Sequence, residues 1–383
     1  MRIDEIYVHG ITVPFSGDFS HSRKKGASVE NIVVEVVAEG GAVRGYGEGA
    51  PRPYVTGESQ GSAAQNVRRL VQYEAFPWEL DSISQVSDFL DSLASDKRHN
   101  AAVCALELSL MDALGRRQGL SVMGYFPQNS FSNRVSYGAT IPLADKQRIT
   151  HVCLLIRKLG MTKLRLKMGK DLRQNQEGIE TVRQVFGADC DLRVDVNGSW
   201  DHDLAWGHLP LLNESRVRVL EQPMMPGDPN LSAFAEIAKM SDIVLMADES
   251  ACSLAEVERI TKEGCYRMIN VRLSKCGGVR NSLRIIDFLR AHGLSFQIGC
   301  QLGETGILSA AGRALCLLCP DATYYDGSYD SFLLKENITM ENVSFGQGGW
   351  AGPLKEAGLG VEVNRDALIR LSRGHSKMTI RRP

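Results

Sequence analysis

Three acidic residues close three successive apolar runs in this chain. Asp195, Glu221 and Asp248 stand in or just after the runs Leu192–Val196, Val217–Leu220 and Ile243–Ala247. Asp is depleted in strands, so propensity does not explain acids at three strand ends. One strand-plus-helix unit separates each from the next, which brings all three to one small volume if the strands are parallel neighbours. Carboxylates held that close raise one another's pKa unless a cation intervenes. A hard divalent ion with oxygen ligands resolves the conflict, and Mg²⁺ suits the set best. The plainer alternative is that each acid caps the following helix or pairs with a neighbouring arginine.

Basic residues stand on a neighbouring strand. Lys163, Arg165 and Lys167 share parity in the run KLRLK, so they point to one side of it. Leu164, Leu166 and Met168 are needed on the other side to pack helices, which turns the cations toward the carboxylates. A lysine crowded by cations and a metal gives up its proton more readily, as a general base must. Further along, Asn270 and Arg272 share parity, and Lys275 follows just before Gly277-Gly278. Gln301 and Glu304 come after the turn at Gly299-Cys300.

The elements that must position these groups show two rhythms. From Arg134 onward, short apolar strands are expected near 134–140, 163–168, 191–197, 217–222, 243–248, 267–273, 294–299 and 322–326, with amphipathic helices between them. Eight parallel strands alternating with helices make a barrel more readily than an open sheet. A doubly wound sheet needs an early phosphate-binding glycine turn, and this half has none. The preceding residues read as strands at 3–13, 29–38 and 43–48, then helices at 59–74, 82–94 and 99–119, an α+β pattern. The run Gly45–Gly49 (GYGEG) is followed by Pro51 and Pro53 instead of a helix and reads as loop punctuation. The tail after about 340 reads as irregular and Gly-rich.

Composition excludes several classes. The 383 residues are 43% hydrophobic and 23% charged, as in soluble globular proteins, not disordered or fibrous ones. Lys and Arg (44) nearly balance Asp and Glu (45), so no global field recruits nucleic acid or an anionic membrane. No stretch approaches the roughly 18 uncharged apolar residues of a membrane span. The first residues lack the apolar core of a signal peptide, and nine cysteines is an odd number, so a cytoplasmic protein with reduced thiols is expected. The CxxC at Cys316 and Cys319 lies in a leucine-rich helix end and reads as structural.

Taken together, these residues resemble the enolase superfamily, and within it the muconate-lactonizing-enzyme branch of the mandelate racemase and muconate lactonizing group. The likeness runs over nearly the whole chain, from Gly45-Tyr46-Gly47-Glu48 to Gly358–Val363 (GLGVEV). It implies a (β/α)7β TIM-like barrel over residues 131–339 and an N-terminal α+β capping domain over 1–130. The tail from about 340 to 383 would pack back on the capping domain. The family's metal ligands fall on Asp195 in DVNGSW, Glu221 in LEQP and Asp248 in ADES, with Mg²⁺ or Mn²⁺ as the ion. Asn197 and Glu249 would orient them. Such enzymes bind a substrate carboxylate on the metal and remove the proton from the adjacent carbon, giving an enediolate stabilised where its charge develops. The Lys-x-Lys motif falls on Arg165 and Lys167, which makes Lys167 the base.

The sixth strand departs from the family phrase Asn-Ile-Lys-x-x-Lys-x-Gly-Gly. Arg272 replaces the first lysine, the acid/base of the opposite face, and Lys275 matches the second. Arginine stays protonated, so it shuttles protons poorly but supplies fixed charge. The resemblance therefore implies a one-base cycloisomerase or syn-eliminating lyase, with Arg272 opposite Lys167 and Lys275 pointing away from the metal. A two-base racemase or epimerase of a carboxylic or amino acid derivative is the alternative, and a catalytically silent ligand-binding member is a third. The Asp-x-Asp of dipeptide epimerases is broken to Ser328-Tyr329-Asp330, with Asp326 earlier, which disfavours a dipeptide. Substrate contacts are expected from a mobile loop, Phe15–Ser28, with His21, Arg23, Lys24 and Lys25, and from Pro51–Glu58, with Arg52 and Tyr54, besides Gln301 and Glu304. Those loop cations suggest a small carboxylate with a second anionic group. The resemblance further implies a homo-oligomer, and the charge balance implies no nucleic-acid or membrane partner.

Overall fold

The computed structural model describes residues 1–21, 24–127, 131–372 and 378–382, without the side chains of 18–25 and Ile237. The larger part is a (β/α)7β barrel. Its eight strands are Ala139–Ile141, Lys163–Lys167, Asp191–Asp195, Val219–Glu221, Val244–Ala247, Met268–Arg272, Ser295–Gly299 and Tyr324–Tyr325, referred to below as the first to the eighth. They lie in sequence order, each parallel to the next. At the seam between first and eighth no ladder forms among the described residues; the Gly138 amide donates to the Tyr325 carbonyl at 2.7 Å instead. Helices connect the strands, the first being Lys146–Lys158. Asp145, Asp171, Asp201 and Ser253 accept from backbone amides in the first turns of four of these helices and so satisfy donors that would otherwise be orphaned.

The capping domain is an antiparallel sheet under three helices. Its strands run in the order Met378–Arg381, Ile3–His21, Lys24–Ala38, Val43–Gly49. Gly45, Gly47 and Gly49 sit inside the last of these, not in a loop. A Cβ at any of them would strike the backbone of the helix Asn100–Gln118, at Ala113, Ala105 or Ala101. Their alternation keeps one face of the strand bare, so the helix lies directly on the sheet.

Two other differences from the sequence reading have clear causes. The described residues of Phe15–Ser28, expected as a mobile loop, extend the hairpin: past a register shift after Pro14, Phe19 pairs with Gly26 and His21 with Lys24. Backbone pairing needs no apolar alternation, so this extension carries little pattern. The tail is not irregular throughout either. It forms a helix at Arg365–Leu371 and the strand Met378–Arg381, which pairs with Glu5–Val8. Both are too short for periodicity to register.

Buried carboxylates join cap to barrel. Glu107, on the long capping helix, accepts from the amides of Val279 (2.6 Å) and Arg280 (3.0 Å), so a capping-domain residue caps the barrel helix Val279–Ala291. Glu48 accepts from the amides of Thr305 and Leu308, both at 2.9 Å, at the start of the barrel helix Gly306–Leu318. Arg52, expected near substrate, is fully buried and donates to the carbonyls of Glu30 and Leu302 and to Asn31. It too ties cap to barrel.

Burial pushes the Glu107 carboxyl up to about 7 against the pull of its two amide donors. A carboxyl whose folded pKa lies above its unfolded one holds its proton longer in the native state. Its contribution to stability is therefore full below the unfolded value and lost as pH rises through about 7. Between pH 5.5 and 8 the wild type should lose on the order of 2 kcal/mol more stability than Glu107→Gln, as read by urea unfolding. Parallel pH profiles for the two proteins would contradict this.

Candidate active site

The barrel interior is built in layers. Deepest is an apolar plug of Val219, Met246, Met268 and Tyr324. Over it Arg193 stacks on the Tyr324 ring at 4.1 Å and pairs with Asp326 at 3.1 Å. Asp326 also faces Arg165 at 3.3 Å, so one carboxylate from beyond the eighth strand joins cations from the second and third across the barrel. The two guanidiniums offset the cost of its burial and hold it below the usual carboxylate range. Sequence reasoning missed this layer, although Arg193 shares parity with Asp195 and so had to face inward.

Lys167, Asp195 and Glu221 form the next layer, in register on adjacent strands. Asp195, Glu221 and Asp248 are all fully buried. None of the helix caps identified above is one of them; Asp201 and Ser253 cap the helices that follow Asp195 and Asp248. The pairing alternative does hold. The Lys167 ammonium donates to Asp195 and, at 3.1 Å, to Asn197. Arg165 donates to Glu221 at 3.0 Å and to Thr140 at 3.1 Å. Arg272 pairs with Asp248 and, at 3.3 Å, with Glu221, whose Oε1 also accepts from Asn270 at 2.7 Å. Burial and the neighbouring Glu221 charge raise the Asp195 carboxyl, whereas Arg165 and Arg272 outweigh burial and lower that of Glu221. Burial opposes the charge on Arg272, but Asp248 and Glu221 more than offset it and keep the guanidinium protonated.

Lys275 is placed otherwise than expected. It does not point away from the acids. It lies fully buried and donates to the Asp248 carboxylate at 3.0 Å, the Asp248 carbonyl at 2.7 Å and the Asn270 carbonyl. The cause is a helical turn at Leu273–Cys276, directly after the sixth strand, which brings the Lys275 ammonium back to Asp248 and the Asn270 carbonyl. Gln222, in a left-handed conformation (φ 40°), is a further residue that sequence reasoning missed. Its amide accepts from the backbone of Asp248 and Ser250 and donates to Ser250, fixing the fourth and fifth strand ends together.

Among the described residues no three acid, His or Cys side chains already converge at ligating distance. The donor chemistry nevertheless fits a hard divalent cation. Asp195, Glu221 and Asp248 are oxygen donors at the ends of three consecutive strands, and the buried Glu249 Oε2 and Asn270 Oδ1 have no hydrogen-bond partner. Glu249, which accepts from Asn197 at 3.3 Å, is pushed up to about 7 by burial and by the charges of Asp248 and Asp195.

A cavity of about 470 Å³ opens over this layer. Lys167, Asn197, Glu249 and Arg272 line it, as do Tyr54, Gln301 and Glu304. Gln301 accepts from Arg272 at 3.1 Å, and Glu304 is pushed up to about 8 by burial. Lys275 and Arg52 are not on its wall. Arg23 and the side chains of His21, Lys24 and Lys25 lie outside the described residues. Beyond the eighth strand, Asp326 is taken by the two arginines, Ser328 accepts from Arg313, and Ser328 and Asp330 both reach the cavity wall.

A charged layer at the C-terminal mouth of a TIM-like barrel, closed by an α+β cap, defines an enzyme of the enolase superfamily. The Enolase C-terminal domain-like family model matches residues 149–367, and the chain belongs to that family, the mandelate racemase and muconate lactonizing group of isomerases and lyases. It is 25% identical over 373 residues to the N-succinyl-L-Arg/Lys racemase of Bacillus cereus, 97% of this chain and 98% of the relative. The crystal structure of the Bacillus cereus racemase superposes over the full length of both chains with a TM-score of 0.87 and 24% identity. Muconate cycloisomerase 1 of Rhodococcus opacus is 26% identical over 345 residues, 89% of this chain and 91% of the relative. A dipeptide epimerase of Enterococcus faecalis, solved with Mg and L-Leu-L-Tyr, covers 94% of this chain and all of its own at 23% identity and a TM-score of 0.82.

Asp326→Asn would leave Arg165 and Arg193 without their shared counter-charge inside the barrel. Uncompensated buried charge is costly, so chemical denaturation should show a loss of about 3 kcal/mol. A loss under about 1 kcal/mol would mean that water or Glu221 compensates both arginines.

Proposed function

We propose that this enzyme removes the α-proton of a small-molecule carboxylate in an Mg²⁺-dependent reaction, with Lys167 as its single base. One observation carries this reading: Lys167 is the only lysine on the cavity wall among the described residues, and the other cation of the charged layer there is Arg272, which exchanges protons poorly. Asp195, Glu221 and Asp248 would hold the cation, and Asn197 and Glu249 would orient them. When bound, the cation supplies positive charge for the enediolate oxygens.

The chain's own residues then divide the work. Lys167 lets go of Asp195 and gives one ammonium proton to solvent, and the neutral amine then takes the substrate α-proton. Arg272 presents a fixed positive charge to the developing anion or to a second carboxylate and returns no proton. Arg165 keeps Glu221 ionised from below. A single base on one face suits cycloisomerisation of an unsaturated diacid or syn elimination of a β-leaving group.

Racemisation or epimerisation is the second reading, and Glu304 is the observation that favours it. Its carboxyl, pushed up to about 8, stays protonated near neutral pH on the same cavity wall and could return a proton. The racemase and epimerase among the similar proteins support it as well. Against it, the Glu304 carboxylate is already engaged, accepting from the Gln301 amide.

Deuterium exchange at the α-carbon separates the two. With Mg²⁺ in D₂O, wild-type enzyme should exchange one enantiomer of a chiral acid and leave the other untouched, as read by proton NMR. Lys167→Ala should lower exchange by at least about 10³-fold, the scale of a general base. Arg272→Lys should slow the native reaction and introduce slow exchange of the second enantiomer. Wild-type exchange of both enantiomers at comparable rates would overturn the one-base reading.

A further inference from the structure

The cavity does not stop at the charged layer. Its wall takes in residues from both faces of the first strand, beside the unpaired seam with the eighth, and from the helix that follows. Arg165, Lys167 and Arg272 line its lumen end. The far end is formed by Val152, Ile156 and Leu159 of the first barrel helix region, with Met161, Phe332 and Phe345.

Three features make this side chamber. The eighth strand is two residues long and the first is three, so above the Gly138–Tyr325 bond no ladder closes the wall among the described residues. Thr140 bonds Arg165 and faces inward, so by alternation its neighbour Ala139 faces the helices. A methyl group there leaves open the space that a larger strand residue would fill, and Ala139 lines the cavity. Finally, Phe345 stacks on Phe332 at 5.2 Å and meets Tyr329 edge-on at 6.0 Å, forming an aromatic wall opposite the helix. The Tyr329 hydroxyl donates to the Gly138 carbonyl at 2.6 Å, which pins that wall to the seam.

We infer that this chamber is the specificity pocket for the distal part of the substrate, and that the part it takes is apolar and bulky, an aromatic or branched-alkyl group on a chain extending from the α-carbon. The inference rests on the proposed carboxylate chemistry for where the other end of the substrate sits. It narrows the substrate class, because a compact acid whose atoms all lie over the charged layer would leave these apolar side chains facing water. Burying a phenyl-sized group against them is worth roughly ten- to a hundredfold in affinity.

Two inert probes with the same head group test it: N-acetylglycine and N-(4-phenylbutanoyl)glycine, titrated calorimetrically into the enzyme with Mg²⁺. The longer probe should bind at least about tenfold tighter. Val152→Trp, which fills the chamber from its helix side, should abolish that difference while leaving N-acetylglycine binding unchanged. Leu155→Trp, at the more exposed rim, is the second variant if the first does not fold. Equal affinities in the wild type, a preference that survives a folded filling variant, or no binding of either probe would overturn the inference. Binding is read apart from α-proton exchange. A preference for the long probe, removed by Val152→Trp, in an enzyme that exchanges no proton would support the pocket and count against the proposed reaction alone.

Discussion

The structure depends on neutralising carboxylates that have no access to water. Asp195, Glu221, Asp248 and Asp326 are buried inside the barrel, and an isolated buried carboxylate is prohibitively costly. Each is met by a cation from a neighbouring or facing strand: Lys167 on Asp195, Arg165 and Arg272 on Glu221, Lys275 and Arg272 on Asp248, Arg193 and Arg165 on Asp326. Such compensation demands accurate strand register, because slipping any strand by one residue would turn its charges into the helix layer. The acids themselves are buried above the apolar plug, so these interactions act in a medium where they are strong.

Two kinds of cation emerge from that arrangement. Arg193 and Lys275 are enclosed and off the cavity wall, and Arg165, on the wall, is held by both Glu221 and Asp326; these three hold the acids in place. Lys167 and Arg272 touch both the acids and the cavity, so they can trade a carboxylate partner for a ligand. The cap contributes through ties of the same type. Glu48 and Glu107 reach from it to barrel helix N-termini, where amide donors and the helix dipole favour a carboxylate. The cap is thereby fixed over the mouth, with Tyr54 on the cavity wall.

Much of this was legible in the sequence because it follows from period and parity. Acids that interrupt apolar runs one βα unit apart, and Arg165 and Lys167 alternating with leucines, can be read without coordinates. What depends on closure of the barrel could not be read that way. The meeting of Asp326 with Arg165 and Arg193 joins strands far apart in sequence, and the seam that opens the side chamber is a missing ladder, which leaves no pattern. Lys275 was misplaced because one helical turn reverses a direction that strand alternation would extend. Arg52 shows the limit of residue type: a cation in a loop beside the mouth could as well reach substrate as bind buried carbonyls, and burial decided for the carbonyls.

The central claim is that Asp195, Glu221 and Asp248 act together as the ligands of one divalent cation. Titration of metal-free enzyme with Mg²⁺, followed by calorimetry, tests it most directly when wild type is compared with Asp195→Asn, Glu221→Gln and Asp248→Asn. The account predicts one site per chain in the wild type and loss of that binding in each folded variant. A variant that binds Mg²⁺ at wild-type stoichiometry and affinity would remove its residue from the site and contradict the account.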